Sequence, residues 1–242
     1  MYSTLPKNNN INILPIKAFK DNYIWLVQEK LNGIIIDPGD AKPVLKTLKE
    51  RNVNLKAILI THKHYDHMGG VEELINYYPK VQIYGPENIE FRFKYTIAKE
   101  DDTILISGTK IKFSVIETPG HTLDHIVYVD KENLFCGDTL FACGCGRLFE
   151  GTYDEMFNSL LKISSLNANT KVYCAHEYTK ENIQFALTID PDNYQLNERY
   201  KKLQDVQITI PSILQEELET NPFLRVKTSR EFKLIRKRKD EF

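Results

Sequence analysis

Short apolar runs separated by turn residues fill the first two thirds of the chain. The first three predicted strands are INILPIKAF, YIWLVQ and GIIID, which begin at Ile11, Tyr23 and Gly33. Their length and their branched or aromatic side chains are typical of strands, and Pro38-Gly39 ends the third. The same pattern predicts strands over seven further segments: 56–61, 81–85, 103–106, 110–118, 125–130, 133–138 and 171–175.

Helical patterns lie between these strands. Residues 42–51 are predicted to form a surface helix. Between Val71 and Tyr78, apolar side chains recur at i, i+3, i+4 and i+7, and Pro79 ends this helix. Thr152 and Glu155 have the spacing of a capping box and open a further helix.

The last quarter of the chain is predicted to be mainly helical. Helical patterns run from about residue 178, with breaks near Pro191, Pro211 and Pro222. We therefore divide the chain into a flexible N-terminal tail over residues 1–10, a strand-rich region over 11–172 and a mainly helical region over 173–242.

Composition and charge narrow the class of protein. The 242 residues are 42% hydrophobic and 27% charged, as in a globular protein, and the net charge of -1 argues against a nucleic-acid partner. No apolar run is long enough to span a membrane and no secretory signal is evident, so the sequence predicts a cytoplasmic protein without a membrane partner.

The four cysteines form no CxxC pair and are expected to lie in the core or in a tight loop. A monomer is expected.

Three of the six histidines lie in the segment THKHYDHMGG, residues 61–70. His62 and His64 follow a predicted strand at i and i+2, so their imidazoles point the same way and are able to share one cation. Asp66 and His67 follow as the chain turns, and they aim elsewhere. The segment is either a polar turn rich in histidine or the start of a site with two adjacent metal positions.

Three more polar residues occur where a strand gives way to a loop. They are His121, Asp138 and His176. Strand ends of this kind line up along one edge of layered α/β proteins. A lone histidine before a loop is more often a cap than a ligand, but five histidines and two aspartates at such ends favour a site for zinc, iron or manganese. His125, four residues past His121, is expected to support the site or the structure rather than bind metal.

The motifs THKHYDHMGG, TPGHT, FCGDTLF and CAHEYT, in this order, resemble the metallo-β-lactamase superfamily. The segments DNYIW, GDTLFACGCGRLFEGT and IRKRKDEF resemble its glyoxalase II branch, the hydroxyacylglutathione hydrolases. This resemblance implies an α+β fold, namely a four-layer αββα sandwich with a C-terminal helical subdomain, and a binuclear metal site at one edge.

The resemblance also implies a set of metal ligands. One ion would take His62, His64 and His121, the other Asp66, His67 and His176, with Asp138 bridging them. Two divalent ions are expected, zinc first, with iron or manganese as alternatives. A hydroxide held by the ions would be the nucleophile, and Asp66 and Asp138 would be the catalytic carboxylates.

The resemblance places five residues at the substrate-contact positions of the glyoxalase II branch: Arg147, Phe149, Tyr178, Arg236 and Lys239. Arg236 and Lys239 share a helix face at i and i+3, which would let them clasp the glycine carboxylate of glutathione. A solvated basic face is the alternative. Arg147 replaces a lysine and Phe149 a tyrosine of some relatives.

The resemblance implies hydrolysis of S-D-lactoylglutathione to D-lactate and glutathione, as in methylglyoxal detoxification. The expected partner is a small glutathione thioester. A thiol with a pKa of about 8.5 leaves readily, so no additional acid is required. A glutathione persulfide dioxygenase with one iron, a nuclease and another hydrolase of this fold are the alternatives.

Overall fold

The computed structural model describes residues 11–87 and 92–242. The predicted N-terminal tail, residues 1–10, lies outside the described residues. Within them, none of the helices is both long and apolar enough to cross a membrane.

The first sheet has six strands in the order β1-β2-β3-β4-β5-β6. β1, β2 and β3 are joined as antiparallel neighbours, whereas β3 to β6 run parallel. The strands span β1 Ile11–Ala18, β2 Asn22–Glu29, β3 Asn32–Ile36, β4 Asn54–Leu59, β5 Gln82–Gly85 and β6 Thr96–Ile97.

The second sheet also has six strands, in the order β14-β13-β10-β9-β8-β7. Its strands span β7 Thr103–Leu105, β8 Lys112–Glu117, β9 Ile126–Val129, β10 Asn133–Gly137, β13 Lys171–Cys174 and β14 Ser212–Ile213. A separate hairpin is formed by β11 Leu140–Phe141 and β12 Gly144–Cys145.

Helices cover the outer faces of the two sheets and form the C-terminal region. They span α1 Ala41–Glu50, α2 Tyr65–Met68, α3 Val71–Tyr77, α4 Tyr153–Ser164, α5 Thr179–Ile189, α6 Tyr194–Leu203, α7 Leu214–Thr220, α8 Pro222–Arg225 and α9 Ser229–Glu241. In α4 both hydrogen bonds of the predicted capping box between Thr152 and Glu155 are present.

Strand β2 shows how the layers are built, because it is buried along its whole length. Trp25 and Val27 face the second sheet, whereas Ile24 and Leu26 pack with residues of α1 and α3 on the opposite face. A strand buried on both faces reads as a continuous apolar run, as this one does in the sequence.

The outer face of the second sheet is covered by α4 and α9. Met156 and Leu160 of α4 and Phe232 of α9 are buried in the same cluster as the sheet. The arrangement is therefore helix, sheet, sheet, helix, which confirms the predicted αββα sandwich and its helical C-terminal region.

The C-terminal region contributes one strand that the sequence pattern did not predict. β14 pairs antiparallel with β13 at Ser212 and Ile213. The proposed division between residues 172 and 173 falls inside β13. The strand pairing does not test where a domain boundary lies, so this boundary stays a prediction. All four cysteines are free and buried, as expected.

Candidate metal centre

Three imidazoles converge in a first cluster, formed by His62, His64 and His121. His62 and His64 follow β4, and His121 follows β8. The Nδ1 of His64 lies 3.0 Å from the Nε2 of His62 and 3.0 Å from the Nε2 of His121. Three ring nitrogens that face one point are the donor set of a zinc or iron site.

A second cluster is formed by Asp66, His67 and His176. Asp66 and His67 lie on α2, and His176 follows β13. The Oδ2 of Asp66 lies 3.5 Å from the Nε2 of His67 and 3.5 Å from the Nε2 of His176. Residues 65–68, expected to form a turn, form a short helix in the structure, and the ring centroid of His67 lies 4.1 Å from that of His62.

Asp138, at the end of β10, lies between the two clusters. Its Oδ1 lies 3.4 Å from the Nε2 of His67 and of His176, and its Oδ2 lies 3.4 Å from the Nε2 of His121. One carboxylate oxygen thus faces each cluster, which is the geometry required of a ligand shared by two ions.

The other ring nitrogen of three candidate ligands is held by a fixed acceptor. His67 Nδ1 lies 3.0 Å from Asp37 Oδ2, His176 Nδ1 lies 2.8 Å from Asp21 Oδ1, and His121 Nδ1 lies 2.7 Å from the carbonyl oxygen of Arg147. With Nδ1 as the donor, Nε2 is left free to bind a cation.

Asp37 and Asp21 were missed as functional residues in the sequence. Asp37 accepts from both the N–H and the hydroxyl of Thr61, as well as lying beside His67. It ends the buried run GIIID, so it had the same strand-end signal as Asp138. Asp21 had no such signal, because only the fold brings the β1–β2 turn to His176.

His125 supports the centre from within the core. It stacks on His62 with ring centroids 4.7 Å apart, and its Nε2 accepts the N–H of Asp138 at 3.1 Å. Its Nδ1 lies 3.1 Å from the hydroxyls of Thr118 and Thr139. His125 therefore fixes the backbone of Asp138, in keeping with the supporting role expected from the sequence.

Burial and neighbouring charge act differently on the imidazoles. Burial, together with neighbouring His67 and His125, lowers the pKa of His62 well below its usual value. Burial also opposes protonation of His67 and His176, but the carboxylates of Asp138 and Asp66, with Asp37 beside His67, together outweigh the effect of burial on the pKa. The pKa of His67 is therefore well raised, and that of His176 is raised to about 10. Burial disfavours ionised Asp138, yet these two imidazoles hold its pKa well below its usual value.

Two buried atoms at the centre have no hydrogen-bond partner within the described residues. They are the Nε2 of His67 and the Oδ1 of Asp138, which face one another. Buried polar atoms are nearly always satisfied, so an unsatisfied pair among seven converging donors fits a bound divalent cation. The two clusters and Asp138 thus have the donors and the geometry to hold two ions.

Two of the expected substrate contacts lie directly against the candidate ligands. Phe149 is exposed and meets the rings of His64 and His121 edge-on, with centroids 5.4 Å and 5.2 Å apart. Tyr178 stacks on His176 at 4.7 Å with an interplanar angle of 9°. The structure therefore brings both residues to the metal centre.

The three expected cationic contacts differ in exposure. Arg236 is buried, donates to the carbonyl oxygen of Cys145 at 2.9 Å and pairs with Asp240 at 3.0 Å. Exposed Arg147 pairs with the same oxygen of Asp240 at 3.3 Å. Half-buried Lys239 lies 5.1 Å from the ring centroid of Phe185. The helical period did not predict that Arg236 is buried, and its contact with a substrate stays a prediction.

Two family models match the chain along nearly its whole length. Residues 19–176 match the metallo-β-lactamase superfamily, and residues 177–242 match the hydroxyacylglutathione hydrolase C-terminus. The chain therefore belongs to the metallo-β-lactamase superfamily. The adjoining C-terminal match confirms the resemblance to its glyoxalase II branch.

Solved structures share this fold at low sequence identity. The chain is 22% identical to ETHE1 from Myxococcus xanthus, with a TM-score of 0.72, covering 94% of this chain and 90% of that one. It is 22% identical to the BLEG-1 B3 metallo-β-lactamase, with a TM-score of 0.66 and coverage of 90% and 100%. TTHA1623, solved in a di-iron-bound form, is also 22% identical, with a TM-score of 0.65 and coverage of 87% and 100%.

Proposed function

We propose that the protein is a binuclear metallohydrolase that cleaves S-D-lactoylglutathione, and related S-2-hydroxyacylglutathiones, to the hydroxy acid and glutathione. The observation that carries the proposal is the position of Asp138, which offers one carboxylate oxygen to each of two ligand clusters. The match of residues 177–242 to the hydroxyacylglutathione hydrolase C-terminus supports the choice of substrate.

The seven candidate ligands, His62, His64, Asp66, His67, His121, Asp138 and His176, would hold the two ions. Bound divalent ions, zinc or alternatively iron or manganese, would supply Lewis acidity and lower the pKa of a shared water towards neutrality. Asp66, whose side chain is 40% exposed, receives a hydrogen bond from Asn22 on Oδ2 at 2.8 Å. Its Oδ1 would be the oxygen that orients a water molecule beside the substrate carbonyl.

Cationic side chains after β12 and on α9 support a glutathione substrate, which carries two carboxylates and one ammonium. Arg147 is exposed, and Lys239 is half-buried without a carboxylate partner in the hydrogen bonds and ion pairs of the described residues. We assign carboxylate binding to these two cations. Arg236 would act by holding α9 against Cys145.

A persulfide dioxygenase is the second candidate, because the fold is shared with ETHE1 of Myxococcus xanthus. The full second cluster of Asp66, His67 and His176 favours the hydrolase, since a reaction at one iron does not require a second set of ligands. Oxygen uptake with glutathione persulfide separates the two reactions.

We also propose a cytoplasmic monomer whose partner is the small thioester alone.

The decisive measurement is loss of S-D-lactoylglutathione absorbance with purified protein, alongside total metal per chain. We expect hydrolysis with about two ions per chain. Asp138→Ala should lower metal content and reduce kcat by at least about a thousandfold, since it removes the shared ligand. Glu73→Gln, an exposed acid on α3, is the control and should change neither. A metal-loaded protein that hydrolyses no glutathione thioester would refute the proposal.

The cation assignment is tested by Lys239→Ala. We expect KM for the thioester to rise about tenfold with little change in kcat, because the lost contact lies far from the scissile bond. Lys237→Ala is the matched control, since Lys237 is an exposed lysine of the same helix. An equal KM in the two variants would exclude Lys239 from substrate binding.

A further inference from the structure

Lys63 lies between two candidate ligands, His62 and His64, and forms ion pairs with two other segments of the chain. Its Nζ lies 2.6 Å from the Oε1 of Glu150 and 3.7 Å from the Oδ1 of Asp124. Glu150 belongs to the segment between β12 and α4, and Asp124 to the segment between β8 and β9. We call Lys63, Asp124 and Glu150 the clasp. It joins the segment after β4, in the first sheet, to two segments that follow strands outside that sheet.

Backbone hydrogen bonds strengthen the clasp. The N–H of Lys63 donates to the Oδ2 of Asp124 at 3.2 Å, and the N–H of Leu123 donates to the Oε2 of Glu150 at 3.0 Å. Each carboxylate thus has one oxygen towards the Nζ of Lys63 and the other bonded to a backbone N–H. A network of this kind constrains the segments more than a single exposed ion pair does.

The carboxylate of Asp124 depends on Lys63 because it is nearly buried. Its side chain is 4% exposed, and its Oδ1 has no hydrogen-bond partner within residues 11–87 and 92–242. An ionised carboxylate removed from water is costly unless a cation lies close to it. The ammonium group of Lys63 is therefore the charge that offsets this cost.

The two segments that Lys63 reaches are also bonded to one another. The N–H of Phe149 donates to the carbonyl oxygen of His121, and the N–H of Gly151 donates to the carbonyl oxygen of Gly120, both at 3.1 Å. Lys63 therefore attaches the segment after β4 to one connected unit rather than to two separate loops.

The clasp spans the first ligand cluster. His62 and His64 flank Lys63, whereas His121 lies three residues before Asp124. The three imidazoles thus come from the two different sheets, and one ion requires their nitrogens at a fixed separation. The clasp is the side-chain contact that crosses from the first pair of ligands to the segment that carries the third.

We propose that Lys63 is a positioning residue for the first metal position, and that through Asp124 and Glu150 it holds the two ligands after β4 at the distance from His121 that one divalent ion requires. This inference rests on the proposed binuclear centre but not on the choice of thioester. An ammonium group offers no lone pair to a cation, so Lys63 acts through the arrangement of the imidazoles. Loss of residues that orient metal ligands typically lowers metal affinity about ten- to hundredfold.

The test measures zinc affinity by competition with a chromophoric chelator. Lys63→Met removes the charge and keeps an unbranched side chain. We expect it to weaken one of the two zinc-binding steps about tenfold and to leave the other within about twofold, because the clasp adjoins only the first cluster. Lys63→Arg should recover most of the affinity, since it keeps the cation. Lys162→Met is the matched control, because Lys162 is similarly exposed and pairs with Glu100 at 2.9 Å on α4, away from the clasp.

Two further variants identify the affected step and its partner. In a His176→Ala background, which removes a ligand of the second cluster alone, Lys63→Met should still lower zinc affinity about tenfold. Glu150→Gln should cause a similar loss, and combining it with Lys63→Met should add little, since both changes remove the same contact.

The outcomes separate this proposal from the proposed function. A similar weakening of both zinc-binding steps would indicate a general loss of structure and, like an affinity within about twofold of the wild type, would overturn the role of Lys63 while leaving the metal centre in place. A wild-type protein that binds no zinc would overturn both. A protein that binds two zinc ions with the expected effect of Lys63→Met, but cleaves no glutathione thioester, would overturn the thioesterase alone. If Lys63→Met fails to fold, Glu150→Gln decides the same question, because it retains an acceptor for the N–H of Leu123.

Discussion

The two carboxylates of the metal centre have different positions. Asp138 is buried and faces both clusters, whereas the side chain of Asp66 is 40% exposed and faces only His67 and His176. Removing Asp66 should therefore affect one ion, and removing Asp138 should affect both.

Asp66→Ala is predicted to retain about one ion per chain, because the cluster of His62, His64 and His121 stays complete. Metal analysis after dialysis, with cobalt spectroscopy to identify the remaining imidazole ligands, measures this outcome. Loss of both ions on Asp66→Ala would show that the two clusters do not bind metal independently.

At the scale of single residues, the sequence pattern indicated all seven candidate ligands but few of the residues that support them. Histidine and aspartate at strand ends are visible in any one-dimensional pattern, which is why the seven candidates were found. Asp21, Asn22 and the carbonyl oxygen of Arg147 support ligands that lie far away in the chain. No local pattern specifies such contacts, because the packing of the two sheets creates them.

Between elements, a buried ion pair attaches the C-terminal helices to the hairpin that follows Asp138. Arg199 of α6 and Glu217 of α7 lie 2.6 Å apart and are almost fully buried. Glu217 also accepts the N–H of Cys143 at 2.8 Å, and Asn221 donates to the carbonyl oxygen of Phe141. The helices therefore fix the hairpin through its backbone as well as through apolar contacts.

Glu217→Gln should lower the free energy of unfolding by about 3 kcal/mol, because it removes the buried carboxylate beside Arg199 and leaves that charge only the Glu216 carboxylate at 3.4 Å. Chemical denaturation measures the change. Glu198→Gln is the matched control, since Glu198 pairs with Lys201 at 2.8 Å on the surface and such pairs contribute only about 0–1 kcal/mol. Similar values for the two variants would contradict the importance of burial.

Element prediction succeeded where a pattern was long enough to show its period. Helices α1 and α3 and the longer strands were predicted close to their observed limits, whereas the C-terminal helices were predicted only as a helical region with breaks near three prolines. The two-residue strands β6, β11, β12 and β14 were missed, because a pair of residues shows no alternation. The spacing of Arg236 and Lys239 in α9 did not reveal that Arg236 is turned inward.

For the whole molecule, the metal centre joins the two sheets. His62, His64, Asp66 and His67 follow a strand of the first sheet, whereas His121, Asp138 and His176 follow strands of the second. Bound ions would therefore cross-link the sandwich at one edge, and metal binding and folding are expected to be coupled.

This coupling has a predicted pH dependence. In the folded protein without metal, His67 and His176 have raised pKa values and therefore keep their protons above pH 6.5. In the unfolded chain the same histidines have the usual pKa of 6.5 and release these protons. The contribution of these two protonated histidines to the free energy of unfolding is fully present below about pH 6.5. It is lost as the pH rises towards 10. Metal requires the deprotonated rings, so its apparent affinity should rise over the same interval.

Zinc titration calorimetry in buffers of different ionisation enthalpy tests the proton release. We expect about three protons released per chain near pH 8, one from each raised imidazole and one from the water whose pKa the ions would lower. His125→Gln is not a suitable control because it contacts Asp138, so Glu73→Gln serves again. An observed enthalpy that is the same in all buffers would contradict the prediction.

The pairing of β14 with β13 also affects how readily the protein associates with other copies of itself. β13 is largely buried, and without Ser212 and Ile213 its outer edge would present free N–H and C=O groups to solvent. Open apolar edges of this kind recruit strands from other copies, whereas a two-residue edge strand offers them little to extend. A chain shortened at Pro211 is thus expected to aggregate even with every metal ligand in place.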